Sequence, residues 1–427
     1  MKYKCGVCHE VFDYLPEICP ICGADNKAFR EFKEEIVSYR KDTNEKFVII
    51  GGGIAALETA KAIRARNKTA SIKMIFSEDK LPYKRPALSD FICGDMLFSD
   101  IVIENYNFYK NNNIELYKNK TALKIDTKQK VVLLDDDSLI EYDKLCLACG
   151  SHSFCPFELK EDQLPIKTLR SYKDAMDILS LIDKGKKVVI AGGGILGIEA
   201  AMSLNQKGLD VTVLERGECV VKAQLDRKSS DLLRQALENK GIRVLLNSTV
   251  KEIKKDSVVL DNGMTLFPDF MIVSMGVRAN TSLALDADIQ VGKAIVVDDY
   301  MRSSDPYVYC AGDCAEYKGK PGGLWIISSA QGKCAGANMT GEMIKYSVVP
   351  FATAFSGLGV TFFSAGNVHS GDTKTFSDKN SYKLLSFEDD KLIGGILWQD
   401  TRNSSKLMKL LSLSADKETA VEKLLNS

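Results

Sequence analysis

Lys187-Val188-Val189-Ile190-Ala191-Gly192-Gly193-Gly194-Ile195-Leu196-Gly197 is the stretch whose reading decides the fold. Its apolar, β-branched start reads as a short buried strand, and the glycines behind it stand at GxGxxG spacing. Gly192 permits a tight turn, Gly194 lets a pyrophosphate approach the backbone, and Gly197 lets the following helix lie close to the strand. The start of that helix presents unpaired amides to the anion. Further along, Val211-Thr212-Val213-Leu214 forms the next strand and ends at Glu215, placed to accept from ribose hydroxyls. An acid there favours a free 2′-hydroxyl and repels a 2′-phosphate, so NADH is expected over NADPH, with Arg216 weakening the bias.

The same unit stands earlier in the chain. Phe47-Val48-Ile49-Ile50 leads into Gly51-Gly52-Gly53-Ile54-Ala55-Ala56, a GxGxxA turn, and the next strand, Ser71-Ile72-Lys73-Met74-Ile75-Phe76, ends near Glu78. Gly51, Gly53, Ile54, Ala55 and Ala56 are the expected cradle of a second dinucleotide, with Glu78 on its ribose. One glycine turn alone is weak evidence; two, each between a strand and a helix, are strong. Short strands alternate with helical patterns throughout, so the expected class is α/β with two doubly wound, Rossmann-like domains.

At 427 residues the chain is too long for a single core. Its 57 basic and 57 acidic residues cancel, which removes nucleic acid as an expected partner. Met1-Lys2-Tyr3-Lys4 runs on without an apolar signal core, and no uncharged run reaches membrane-spanning length, so no membrane association is expected and the expected location is the cytoplasm.

The first 22 residues hold Cys5-Gly-Val-Cys8 and Cys19-Pro-Ile-Cys22. Two such knuckles can place Cys5, Cys8, Cys19 and Cys22 at the corners of a tetrahedron, a thiolate set that suits iron or zinc. A charged stretch from Lys33 to Lys46 follows and reads as a linker. If flexible, its 14 residues span about 20 Å on average and about 50 Å at the limit, and a rigid charged helix is the competing reading. Beyond about residue 346, alternating segments such as 382 to 387 and 392 to 398 read as hairpin strands ahead of a Lys/Leu-rich helix. The expected division is a metal-binding head at 1–35, a linker at 36–46, one dinucleotide domain at 47–155 with 281–345, the second at 156–280, and an α+β domain at 346–427.

The two glycine units, together with Tyr83-Lys84-Arg85-Pro86-Ala87-Leu88-Ser89, Leu147-Ala148-Cys149-Gly150 and Tyr309-Cys310-Ala311-Gly312-Asp313, resemble the two-dinucleotide flavoprotein reductases of the pyridine nucleotide-disulfide oxidoreductase family. Within it the PYKRPALS segment looks like the ferredoxin reductase and NADH:rubredoxin oxidoreductase branch, and the C-terminal region is similar to that of rubredoxin reductases. The resemblance implies FAD on the first glycine turn, Glu78 on its ribose, Arg85 near its phosphates, Ala148 and Gly150 closing the site, and Asp313 on the ribityl chain. NADH then belongs to the second turn, with Glu199 beside the nicotinamide and flavin. The head resembles the rubredoxin-like domain of rubrerythrins, with Tyr3, Phe12, Tyr14, Phe29 and Phe32 available as its aromatic core. Gly23 follows the second knuckle as expected, whereas His9 stands where glycine is usual.

The implied activity is electron flow from NADH to FAD to an iron centre in the head, and then to an acceptor such as a flavodiiron protein or rubrerythrin. Flavin is needed because hydride carries two electrons and a single iron takes one. Three rivals are weighed. A disulfide reductase would need a reactive cysteine against the flavin, for which Cys93 is the candidate. An NADH oxidase or peroxidase would pass electrons from flavin to oxygen. The third is a flavoenzyme whose head is a structural zinc ribbon for partner binding. Asp90 departs from the lysine that ferredoxin reductases often carry there, which removes a Lys partner for Glu199.

Overall fold

The structure is a computed structural model and describes residues 1–427 except 7–10, 13, 18, 20–25, 33–36, 95, 159–162, 183–185 and 426–427. Two five-stranded parallel sheets form its centre. In the first, the order is Val308–Cys310, Lys144–Leu147, Lys46–Ile50, Ser71–Phe76, Ile114–Lys118. In the second it is Ile166–Lys167, Phe270–Val273, Lys187–Ala191, Asp210–Leu214, Arg243–Leu245. The central strand of each is buried from its second residue onward, as helices on both faces of a parallel sheet require. Each unit also carries a three-stranded antiparallel sheet, at 122–141 and at 250–266. Ser151–Ser153 pairs antiparallel with Val277–Ala279 where the chain passes between the two units.

The glycine turns open the helices Ile54–Arg66 and Ile195–Gln206. A return helix, Trp325–Met339, lies directly on the first of these. A Cβ on Gly332 would stand 2.3 Å from the Ala55 carbonyl, and one on Gly336 2.4 Å from that of Thr59, so the two backbones touch only because both positions are glycine. Thr59 Oγ1 donates to the Gly332 carbonyl at 3.1 Å and ties the crossing.

The C-terminal part is a five-stranded antiparallel sheet in the order Ala352–Gly357, Val360–Gly366, Lys391–Trp398, Tyr382–Glu388, Asp372–Ser377. The expected hairpin is present. The expected single terminal helix is two, Ser404–Ser412 and Lys417–Leu424, because Ser414 adopts a positive φ and Asp416 caps the second helix by accepting from Thr419 N at 2.8 Å. Alternate residues of this sheet face opposite ways. Phe362, Leu384, Ile396 and Trp398 join the core of the second dinucleotide unit, while Phe363, Leu385 and Leu397 join the terminal helices and the head.

The head is a small antiparallel sheet in the order Val11–Phe12, Tyr3–Cys5, Phe29–Glu31. Phe12 and Phe29 meet edge to face at 5.7 Å, whereas Tyr14 is 61% exposed and touches this core only from its rim. In the stretch after it, read as a linker or a charged helix, residues 33–36 lie outside the described residues, and residues 37–45 form no helix and are fastened to the first dinucleotide unit. Tyr39 OH donates to the Thr340 carbonyl at 3.1 Å, Lys41 N to that of Arg66 at 2.9 Å, and Thr43 and Thr69 share the Asn67 side chain.

Candidate functional site

In a doubly wound sheet the ligand crevice lies beyond the carboxyl ends of the strands, where the strand order reverses. In the first unit that point falls between Lys46–Ile50 and Lys144–Leu147, and in the second between Lys187–Ala191 and Phe270–Val273. Both crevices are built alike. Gly51 (φ +146°) sits so close to its neighbour that a Cβ would lie 2.1 Å from the Ala148 carbonyl, and for Gly192 (φ +123°) the Ser274 carbonyl would be 2.2 Å away. Each closing loop then turns on a glycine of positive φ, Gly150 or Gly276. Gly53 and Gly194 face open space at the helix start, with no protein atom within 4 Å of an added Cβ. Neither helix has a side-chain N-cap, so its first amides face that space. Ala56 is fully buried, and a Cβ on Gly197 would meet the Gly192 carbonyl at 2.1 Å.

The first crevice opens into a cleft of about 800 Å³ lined by Gly51, Gly53, Glu78, Arg85, Cys149 and Arg170 among others. Ile54, Ala55 and Ala56 lie just behind it, in the first turn of the helix. Glu78 and Arg85, expected on ribose and phosphate respectively, are here engaged with each other. Tyr83 OH donates to Glu78 Oε2 at 2.7 Å, and Arg85 also donates to Tyr83 OH at 3.0 Å and to the Arg170 carbonyl at 2.9 Å. The two residues are brought together in the cleft but preoccupied, so a ligand must take over their bonds. Burial pushes the Tyr83 phenol far above its ordinary value, which keeps it a neutral donor.

Asp313 follows the turn at Gly312 (φ +86°), whose amide donates to Gln331 Oε1 at 2.9 Å. Its carboxylate accepts from Arg170 at 2.5 Å, Ser151 Oγ at 2.8 Å and Ser328 Oγ at 3.2 Å. Sequence reasoning did not single out Arg170. It lies outside every motif, and its part emerges only when the second chain crossing folds against the first unit.

At the second crevice Glu215 accepts from the amides of Gly193 at 2.9 Å and Gly217 at 2.8 Å. The acid at the strand end therefore also fastens the glycine turn. Glu199 lies one turn into the second helix and meets the PYKRPALS segment, since Ser89 Oγ donates to its Oε2 at 3.2 Å. Burial pushes the Glu199 carboxyl up to about 7, against the bond from Ser89, and nearby Asp90 adds to the rise. Asp90 is itself raised by burial, so an acid pair stands where Lys-Glu pairing was excluded.

The Cys93 thiol reaches the Ser203 carbonyl and Gln206 Oε1, at the far end of the second helix, and does not line the first cleft. In the head, Cys5 and Cys19 are 0% and 1% exposed, one from each knuckle. Cys8, Cys22, His9 and Gly23 lie outside the described residues. Among the described residues no helix is long and apolar enough to cross a membrane.

Two dinucleotide crevices on duplicated α/β units, followed by a sheet packed on the second, define a two-dinucleotide oxidoreductase. The chain belongs to the pyridine nucleotide-disulphide oxidoreductase family, whose model matches residues 45–332, and the rubredoxin NAD+ reductase C-terminal domain matches residues 352–414. It is 31% identical to the NADH-rubredoxin oxidoreductase of Clostridium acetobutylicum over 90% of this chain and 99% of that protein. It is also 31% identical to the nitrite reductase [NAD(P)H] of Bacillus subtilis, over 87% of this chain and 48% of that one. The chain spans about half the length of the first two curated relatives it matches. Among solved structures, the NAD-dependent persulfide reductase from A. fulgidus superimposes with a TM-score of 0.82 at 26% identity, over 90% of this chain and 79% of that one.

Proposed function

We propose that the chain is an NADH-dependent flavoprotein reductase that delivers electrons through FAD to an Fe(Cys)4 centre in its own head, and on to an acceptor protein such as a flavodiiron protein or rubrerythrin. The observation that carries this reading is the pairing of two equivalent crevices with a four-cysteine head in a single chain. FAD bound in the first crevice would supply the conversion of a two-electron hydride into single-electron steps. The open space at Gly53, the uncapped helix start and the size of the cleft all suit its pyrophosphate. Gly51, Gly53, Ile54, Ala55, Ala56, Glu78, Arg85, Ala148, Gly150 and Asp313 would hold it. Gly192, Gly194, Gly197 and Glu215 would hold NADH, with the acid disfavouring NADPH. Glu199 keeps a proton in play at neutral pH where the two units meet, and Arg170 orients Asp313.

The reading divides the chain at the boundaries given above. Its metal site rests on the buried Cys5 and Cys19 and on the soft donor set. Phe32 N donates to the Lys2 carbonyl at 2.7 Å and Tyr39 OH to the Thr340 carbonyl at 3.1 Å, so six residues of chain, with a contour of about 20 Å, join the anchor of the head to that of the body. Within that reach the head is an intramolecular acceptor.

The head's packing on the outer face of the C-terminal sheet favours a second reading, a zinc ribbon that recruits a partner. Metal analysis with anaerobic NADH titration separates the two. Iron gives a red protein that NADH bleaches, and Cys5→Ser removes that bleaching while flavin reduction by NADH persists. One zinc per chain, or loss of both reductions together in Cys5→Ser, refutes the relay.

A further inference from the structure

Gly193, in the middle of the second glycine turn, is held from two sides. Its amide donates to Glu215 Oε2 at 2.9 Å, and its carbonyl accepts from the Val221 amide at 2.7 Å. In a trans peptide the N–H lies opposite the C=O, so the bond from Val221 turns the Gly194 amide to the side away from that residue. Gly194 is the position with open space for a pyrophosphate. Val221 therefore sets the direction of an amide it does not touch.

Val221 does this in a backbone conformation that a β-branched residue adopts only under constraint, with φ at +51° and the residue 1% exposed. The constraint comes from the turn that follows. Gln224 N and Leu225 N both donate to the Val221 carbonyl, at 2.9 and 3.1 Å. The Gln224 carbonyl in turn accepts from Ser364 Oγ at 2.6 Å, in a buried bond. Ser364 lies on strand Val360–Gly366 of the C-terminal sheet, on the same face as Phe362, and Phe362 shares its core with Val220, Val221 and Leu225. A continuous run of hydrogen bonds thus leads from the sheet through Gln224 and Val221 to the glycine turn. A strained residue keeps its shape only while its surroundings over-determine it. Loss of the Ser364 bond lets Val221 return to negative φ, which withdraws its amide from Gly193.

We propose that Ser364 and Val221 are positioning residues of the second dinucleotide site: the C-terminal sheet braces the strained turn, and the braced turn aims the Gly194 amide at the pyrophosphate. The inference rests on the placement of NADH at this turn. It makes the sheet that carries the head a determinant of dinucleotide affinity, and by reciprocity a bound dinucleotide tightens the loop on the sheet.

The full-length protein as purified is titrated by equilibrium dialysis with NAD+, which binds without reducing a flavin, and its backbone is followed by amide hydrogen-exchange mass spectrometry. Ser364→Ala is expected to weaken NAD+ binding about tenfold. Tyr382→Phe removes another bond from the same sheet to the same unit, 2.8 Å to Asp226 Oδ2, but one that ends on a helix cap; it keeps the wild-type affinity within about twofold. Val221→Gly carries a positive φ without strain, so in that background Ser364→Ala costs less than about twofold. In the wild type, NAD+ slows exchange at residues 192–197 and at the loop 217–226 together. Wild-type affinity in Ser364→Ala, with exchange at 192–197 still slowed by NAD+, overturns the inference and leaves the placement of NADH standing. Equal losses in Ser364→Ala and Tyr382→Phe, or an undiminished cost of Ser364→Ala in the Val221→Gly background, overturn it as well, since docking of the sheet at large would then set the affinity. Exchange at 192–197 that NAD+ leaves unchanged in the wild type overturns the placement and the inference together. Should the variants fail to fold, the wild-type exchange decides: slowing at 192–197 without slowing at 217–226 overturns the brace.

Discussion

Glu199→Gln isolates the most unusual charge at the meeting of the two dinucleotide units. The wild-type carboxyl is pushed up from 4.5 to about 7, chiefly by burial and then by Asp90. That rise corresponds to about 3 kcal/mol of extra cost for ionising the group in the folded chain. The folded form holds the proton more tightly than the unfolded one. The stability linked to this proton is therefore complete below about pH 4.5, falls between pH 4.5 and 7, and stays low above pH 7. Glutamine cannot ionise, so the variant escapes that fall and gains up to about 3 kcal/mol over wild type between pH 4.5 and 8. Difference infrared spectroscopy, wild type minus variant, reads the group directly through its protonated carbonyl band. About nine in ten Glu199 side chains are protonated at pH 6, against roughly three in a hundred for an ordinary glutamate. Ser89→Ala removes the hydroxyl that donates to the carboxylate and moves the midpoint higher still. A band already gone at pH 5.5, or a Ser89→Ala midpoint below wild type, refutes the reasoning.

Other outcomes follow from the same geometry. Gly53→Ala places its methyl in open space with φ of −99°, so the protein melts within about 2 °C of wild type yet purifies with little flavin; full flavin occupancy would show that no pyrophosphate lies there. Gly51→Ala meets a backbone carbonyl at 2.1 Å and loses about 3 kcal/mol or more, which chemical denaturation measures. Arg170→Ala strips Asp313 of its charged partner and weakens flavin retention about tenfold in equilibrium dialysis, and Arg170→Lys restores only part of it. Twenty Gly/Ser residues inserted between Phe32 and Tyr39 lengthen the connection between head and body and raise the stopped-flow rate of head reduction severalfold.

The duplicated architecture was legible because its signal is local. Gly51, Gly53, Gly192 and Gly194 each follow a strand and open a helix, and the backbone demands recorded at those positions are the ones the spacing implies. The antiparallel C-terminal sheet was legible through its alternation. What escaped was whatever depends on a second segment. Arg170 acquires its role from Asp313, which lies 143 residues away. The engagement of Glu78 with Arg85 required the intervening loop to fold back through Tyr83. The charged stretch before Lys46 reads as free linker because its anchors are backbone groups of Arg66 and Thr340 and the side chain of Asn67, and composition carries no trace of them.

The C-terminal sheet lies between the second dinucleotide unit and the head, with one set of side chains facing each. Packed sheets stand about 10 Å apart, so a single layer of side chains and backbone separates the core of the head from that of the second dinucleotide unit. The sheet is thereby a shared wall, with one face belonging to the body and the other to the head and the terminal helices. A partner that grips the head bears on this wall without touching either dinucleotide crevice.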